Sequence, residues 1–489
     1  MNARAQLALE LVVGSLALGV LGDALLRAGP WGLNALVWTG LLLVAALILA
    51  TRHKLALDAR AAWLGGGALV VAGGFAWRDA PALKLLDFAS LCGLLALALW
   101  RARGVRLGVG GVIESCGRFA FAGVQAVIGY VPLFTGPPLW TAAVPAGWGG
   151  RVRTAAVGGL LALPALLIFG ALFMSADAVF YNLVVRVVRF DLAEAASHVV
   201  RVAVCSWITA GWLIGLLMPE RLPVPRLTPP QFLKFRPAEI GVALGLMNVL
   251  FLAFILVQLR YLFGGACLVQ VTPDLTYAEY ARRGFFELVA VVALALPVLL
   301  AADWLLGDAP RRGFRVQATT LVLMLGVVLG SAFERMMLYR AEYGWTQSRF
   351  YVAVFMAWLA VVLLWFVATV LTGRRERFAS GALLAGLVAG AVLHAWNPDA
   401  WIARRNLVHA RAGHEFDAAY VTRLSADAFP TLLEAWPTLD GKTRELLTAR
   451  LRKWAVATPP DWRLWSWSVA RAREVIRQHE SKWGEHLLP

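Results

Sequence analysis

Apolar runs of about twenty residues, the length a helix needs to cross some 30 Å of hydrocarbon, recur along most of this chain. The candidate spans are 6–26, 31–50, 61–77, 81–100, 154–174, 198–218, 238–262, 284–306, 316–334, 350–372 and 379–396. The composition agrees: 60% of the residues are hydrophobic and 16% are charged, where soluble domains carry about a quarter. The expected fold is all-α. It is a polytopic helical membrane bundle of about 11 spans with one re-entrant or interfacial helix and a small C-terminal all-α domain. The first partner implied is the lipid bilayer.

Short basic loops separate the spans. They are "TRHK" at 51–54, "RARGVR" at 101–106, "RVR" at 151–153, 219–237, "RRGFR" at 311–315 and "GRRERF" at 373–378. Lys and Arg gather on the cytoplasmic side of membrane proteins, so these loops and the N-terminus are expected inside and the C-terminus outside. The net charge of +16 is sorted by this topology and needs no nucleic-acid partner. Residues 107–134 look long enough to span, yet both flanking loops belong inside; this segment is the expected re-entrant or interfacial helix. Glu10 interrupts the first apolar run and no clear small-x-small cleavage site follows, so that run is expected to be a retained helix. Trp31, Trp77, Trp100, Trp304 and Trp396 sit near span ends, where an amphipathic ring prefers the headgroup level.

The composition changes after Trp396. Residues 397–489 carry 14 Lys/Arg against 11 Asp/Glu and contain no span. Apolar residues recur there at helical spacing, punctuated by prolines. The expected domains are a transmembrane bundle over 1–396 and an extracytoplasmic α-helical domain over 397–489.

Four polar stretches fall on the expected outer side, at 175–182, 276–287, 334–351 and 397–406, and two of them carry the candidate site residues. In "TYAEYARRGFFE" (276–287), Glu279, Tyr280, Arg283 and Glu287 share one helical face. In "ERMMLYRAEYGWTQSRFY" (334–351), Glu334, Arg335, Tyr339, Arg340, Tyr343 and Arg349 lie in an expected loop broken by Gly344. Arginines suit bidentate recognition of carboxylate or phosphate, and tyrosines suit a ring or headgroup. The same residues suit, better still, a salt-bridged brace that locks spans eight and nine to the C-terminal domain.

These stretches, together with "SADAVF" at 175–180 and "NPDAWIARRN...FDAAYVTRLSADAFPTLL" between 397 and 433, resemble the signature blocks of domain-of-unknown-function family 4173. The family comprises bacterial polytopic membrane proteins. The resemblance implies that fold and a bacterial cytoplasmic-membrane location, and brings no activity, substrate or catalytic residue.

Catalytic motifs are missing from the sequence. "DGKT" at 440–443 has the tail of a phosphate-binding loop, but Trp436 stands where its first glycine belongs. The four cysteines form no CxxC pair, and His409 and His414 beside Glu415 and Asp417 match no metal-ligand spacing, so no metal site and no cofactor are expected. The leading expectation is a non-enzymatic sensor, accessory or assembly factor that binds an anionic lipid, a glycan or an envelope protein at its outer face. A membrane-embedded enzyme acting on a lipid-linked substrate is the second reading. A transporter is the third, with Asp87 and Asp303 the residues to test.

Overall fold

The computed structural model describes residues 3–102, 112–129, 177, 192–218, 235–262, 285–307, 309–414, 416–457 and 461–483. Among them the regular secondary structure is helical throughout, and ten helices of 19 to 32 residues are long and apolar enough to cross a membrane. These are α1 (Ala3–Leu26), α2 (Leu33–Arg52), α3 (Ala59–Trp77), α4 (Pro81–Ala102), α6 (Leu192–Leu217), α7 (Pro237–Leu262), α8 (Phe285–Leu305), α9 (Arg312–Tyr343), α10 (Gln347–Phe366) and α11 (Phe378–Trp396). Each answers to one expected span; the remaining one, 154–174, lies outside the described residues. The chain is an all-α multi-pass membrane protein.

Three apolar cores build the described part of the bundle, one of them a small cluster that joins α2, α3 and α4 through Ala35, Ala72, Phe75 and Leu91; the other two are larger. The first of these joins α1, α2, α4 and α6 through Leu11, Leu42, Ala98 and Leu213. The second joins α7 to α10 through Leu244, Val292, Leu321 and Phe366. Four acidic or amide side chains inside the spans have partners, as hydrocarbon favours, while the buried hydroxyls of Ser206, Thr209 and Ser331 have none among the described residues. Asp23 accepts from Arg201 on α6 at 2.8 Å, Asp87 meets His394 of α11 at 2.8 Å, and Asn248 donates to the Gln317 carbonyl at 3.1 Å. Asp303 accepts from Arg311 at 2.5 Å.

Helix α5 (Val112–Ile128) falls in the segment expected to be re-entrant or interfacial and packs on α4 and α6. Gly211 permits that contact: a Cβ there would lie 2.1 Å from the Ala126 carbonyl oxygen, backbone against backbone. Leucine at Gly211 is therefore expected to force α5 from α6 and to cost about 1–3 kcal/mol or more, as overpacking does. Leucine at Gly241, where nothing lies within 4 Å, serves as the control. The measurement is the thermal midpoint of the detergent-solubilised protein, lowered in the first variant and nearly unchanged in the second.

The structure corrects the expected loop over 334–349. Helix α9 continues through Tyr343, because 331–343 contains neither glycine nor proline and is rich in good helix formers. Gly344 then caps it, with φ +68°.

After α11 the chain turns on one residue. Asn397 adopts φ 58°, caps the end of α11 and accepts from Ala400 N at 3.3 Å to start α12 (Pro398–Arg411). Further on come α13 (Ala418–Val421), α14 (Phe429–Glu434), α15 (Gly441–Ala457) and α16 (Trp467–Trp483). Their core holds Ile402, Phe429, Leu432, Leu451 and Ala472, and it also includes Ala80, Leu83, Phe350 and Leu393 from the ends of α4, α10 and α11. The C-terminal helices thus complete their core with the end of the bundle.

Candidate functional site

The helix ends that carry the expected outer loops converge on the C-terminal helices. Leu33 N donates to the Trp465 carbonyl at 2.9 Å and Arg463 Nη1 to the Ala24 carbonyl at 2.8 Å, and Ser468 Oγ lies 3.0 Å from the Trp77 carbonyl oxygen. Trp345 packs edge-on against Trp401 at 4.9 Å between ring centroids, joining the α9–α10 corner to α12.

A buried carboxylate organises the junction. Asp427 lies in the 3-10 turn Ala426–Ala428, its side chain 1% exposed. It accepts from Asp79 N at 2.8 Å, Ala80 N at 3.1 Å, Ser425 Oγ at 3.2 Å, Arg78 Nη1 at 3.4 Å and the Ser468 hydroxyl. These donors come from the α3–α4 connection, from the start of α16 and from the turn itself. Arg78 also donates from Nε to the His394 carbonyl at 2.8 Å, which brings in the end of α11. A buried carboxylate is tolerable when its lone pairs are satisfied in this way.

A second buried carboxylate lies beside it. Asp399, in the first turn of α12, accepts from Gln347 Nε2 at 2.9 and 3.1 Å and from Ser425 N at 3.1 Å. Burial pushes its carboxyl pKa up, and the bonds to Ser425 and Gln347 pull it back only part of the way. Gln347 N donates in turn to Tyr420 Oη at 2.5 Å. Asp399, Gln347 and Tyr420 therefore stitch α12, α10 and α13 together.

Beside this network opens a polar cavity of about 760 Å³. Its walls include Tyr343 and Arg349 from the α9–α10 corner, His409 of α12, His414, and Lys442 near the start of α15. Most of its polar groups already serve the fold. Arg349 donates to the Tyr343 and Gly344 carbonyls at 3.0 and 2.6 Å, and its guanidinium lies 4.0 Å from the Tyr339 ring. Asp440, the aspartate of "DGKT", accepts from Thr443 N at 3.2 Å and so caps α15. The Thr443 hydroxyl and N–H hold its carboxyl below the usual carboxylate range. The His409 and His414 rings stack at 4.0 Å. Among the described residues no group of three or more His, Cys, Asp and Glu is placed to hold a metal ion, and Glu415 lies outside them. Lys442 is exposed and makes no ion pair or side-chain hydrogen bond among the described residues.

The expected site residues divide accordingly. Tyr343 and Arg349 reach the polar cavity. Tyr339 stacks on Tyr343 at 5.2 Å, and Arg340 lies 5.5 Å from the Trp345 ring, both within the α9–α10 corner. Arg335 is buried, Glu334 and Glu287 are exposed, and none of the three lines the cavity. Glu279, Tyr280 and Arg283 lie outside the described residues.

Sequence reasoning passed over Arg78, Gln347, Asp399, Asp427 and Ser468. One signal was present for Asp427: an acid between alanines and directly before the apolar "FPTLL" is a candidate for burial. Its donors, far off in sequence at 78–80 and 468, left no such trace.

No curated protein and no solved structure matches the chain. A family model does, and its number differs from the 4173 that the resemblance suggested. It is described as "Domain of unknown function (DUF4153)" and covers residues 65–435, from within α3 through α14, so the matched unit runs across the turn at Asn397 and includes both buried carboxylates. The chain belongs to the DUF4153 family.

Proposed function

We propose that this protein is a non-enzymatic sensor, accessory or assembly factor of the bacterial cytoplasmic membrane. In this reading its N-terminus is inside and residues 397–489 form an extracytoplasmic α-helical unit. That unit and the polar cavity bind an envelope component or a partner protein. The observation that carries the reading is the division of labour at the junction. Buried Asp427 and Asp399 fasten the C-terminal helices to the bundle, while the adjoining polar cavity keeps an uncommitted cation, Lys442. The orientation rests on Arg52, Arg101, Arg312 and Arg374, which stand at or beside the helix ends away from the C-terminal helices, as the positive-inside rule requires of a cytoplasmic face.

The test places a photo-reactive side chain at Glu445, one turn from Lys442 and exposed, in intact cells. The expected result is one discrete adduct, lost in a Lys442→Glu background with protein levels unchanged. Protease, glycosidase or lipase digestion of the adduct then reports its class. No adduct at normal protein level, or an adduct indifferent to Lys442→Glu, would overturn the assignment of this cavity.

A further inference from the structure

A second cavity lies across the junction from the polar one and shares none of its lining residues. It encloses about 560 Å³, within the range of about 300–1,000 Å³ usual for small-molecule sites. Its character is split. One wall is apolar and belongs to the membrane helices: Trp31 packs against Phe75 and Phe88 with centroid distances of 6.1 and 5.7 Å, and Leu85 completes the wall. The lining is basic as well, with Lys84 from α4, Arg423 after α13 and Arg450 on α15.

The three cations are not equally committed. Lys84 Nζ is 2.8 Å from Asp79, the carboxylate among the lining residues, and that pair is locally neutral. Arg450 donates from Nε to the Thr422 carbonyl at 3.3 Å, which fixes the side chain; its terminal nitrogens make no other hydrogen bond among the described residues. Arg423 is exposed and makes no side-chain hydrogen bond or ion pair among the described residues. Two guanidinium groups are thus offered to an anion, and guanidinium suits the paired oxygens of a phosphate.

We infer that this cavity binds an anionic phospholipid, its phosphate at Arg423 and Arg450 and its acyl chains against Trp31, Leu85 and Phe88. A free anion would have no use for the aromatic wall. A zwitterionic lipid would bring its own cation to a rim that already has positive charge in excess. The apolar wall continues along the membrane face of α4, where Leu85, Phe88 and Cys92 are exposed at i, i+3 and i+7. An acyl chain entering the cavity therefore has an apolar path into the bilayer. Since Arg423 and Arg450 belong to the C-terminal helices and Leu85 and Phe88 to the bundle, such a lipid would bridge the two. The inference goes beyond the function proposed above, and its failure would leave the polar cavity untouched.

Native mass spectrometry of the full-length protein in detergent, with equal amounts of phosphatidylglycerol and phosphatidylcholine, tests it. Retained adducts are expected to favour phosphatidylglycerol, and Arg423→Gln and Arg450→Gln are each expected to lower that preference about fivefold. Inorganic phosphate at millimolar concentration is expected not to displace the lipid. Arg423 is exposed and makes no side-chain hydrogen bond among the described residues, so Arg423→Gln should keep the wild-type thermal midpoint and remains informative if Arg450→Gln fails to fold. Equal retention of the two lipids would overturn the inference, and so would selectivity that survives the substitutions. Displacement by inorganic phosphate would make this a soluble-anion site and overturn the lipid assignment.

Discussion

Alanine at Asp427 is expected to lower the stability of the folded protein by about 3–5 kcal/mol, the cost of breaking a buried charge pair from one side. The substitution removes the carboxylate partner of the buried Arg78 guanidinium, which keeps only the His394 carbonyl as acceptor among the described residues, and takes the acceptor from the N–H groups of Asp79 and Ala80 and from two serine hydroxyls. The damage is expected to be local at first. The core of α7 to α10 does not include Asp427, whereas the core of the C-terminal helices closes around it. Limited proteolysis of the detergent-solubilised variant should therefore cut within 436–466 at conditions where α7 to α10 stay intact. Asparagine keeps the size and one acceptor oxygen but aims an NH2 group at donors, so Asp427→Asn is expected to fall between wild type and alanine. Wild-type protease resistance in Asp427→Ala would mean that the C-terminal helices are held by their apolar core alone.

Gly344→Ala is the second substitution with a large expected effect. Gly344 adopts φ +68° and ψ −166°, a region closed to side chains, and such strain costs about 1–3 kcal/mol. Space is lacking as well, since a Cβ would lie 2.8 Å from Asn406 Oδ1. That oxygen accepts from Trp345 N at 2.8 Å, and Asn406 Nδ2 donates to the Trp345 carbonyl at 2.7 Å. Each bond is worth about 1 kcal/mol. The total expected loss is about 3–5 kcal/mol, read as a lowered thermal midpoint together with a red-shifted tryptophan emission as Trp345 and Trp401 separate. Asn406→Ala is expected to lose less. The double variant should lose less than the sum, because both changes break the same two bonds.

The spans were legible because the bilayer imposes one length and one chemistry on each, and the period of polarity marks where each helix stops. Trp31, Trp77, Trp100, Trp304 and Trp396 lie at or near ends of α2, α3, α4, α8 and α11, as interfacial chemistry suggests. Glycines four apart, as at Gly211/Gly215, Gly241/Gly245, Gly326/Gly330 and Gly386/Gly390, are compatible with close helix packing but are a weaker guide. Gly211 and Gly215 meet close neighbours, whereas Gly241, Gly326 and Gly330 meet nothing within 4 Å, because spacing records opportunity and not which face is packed. The candidate site was legible only at one corner. Tyr343 and Arg349 were visible as polar residues at a span end, but the α9 helix absorbs Tyr339 and Arg340 into its own aromatic contacts. Asp399 looks in the sequence like an ordinary helix-terminal acid, and for Asp427 only the apolar residues that follow it hint at burial. Their burial follows from tertiary contacts with Gln347, Arg78 and Ser468, which no local pattern encodes.

The proposal turns on one end of the bundle facing out of the cell with the C-terminal helices fastened to it. The direct measurement is membrane-impermeant labelling of single cysteines at Ser348, Glu445 and Ser380 in intact cells, with the native cysteines replaced. All three positions are exposed; Ser348 and Glu445 belong to the end with the C-terminal helices and Ser380 to the basic end. The account predicts that Ser348→Cys and Glu445→Cys react and that Ser380→Cys reacts only after the membrane is opened. Reaction at Ser380→Cys alone would contradict it and place the junction, with both of its cavities, in the cytoplasm.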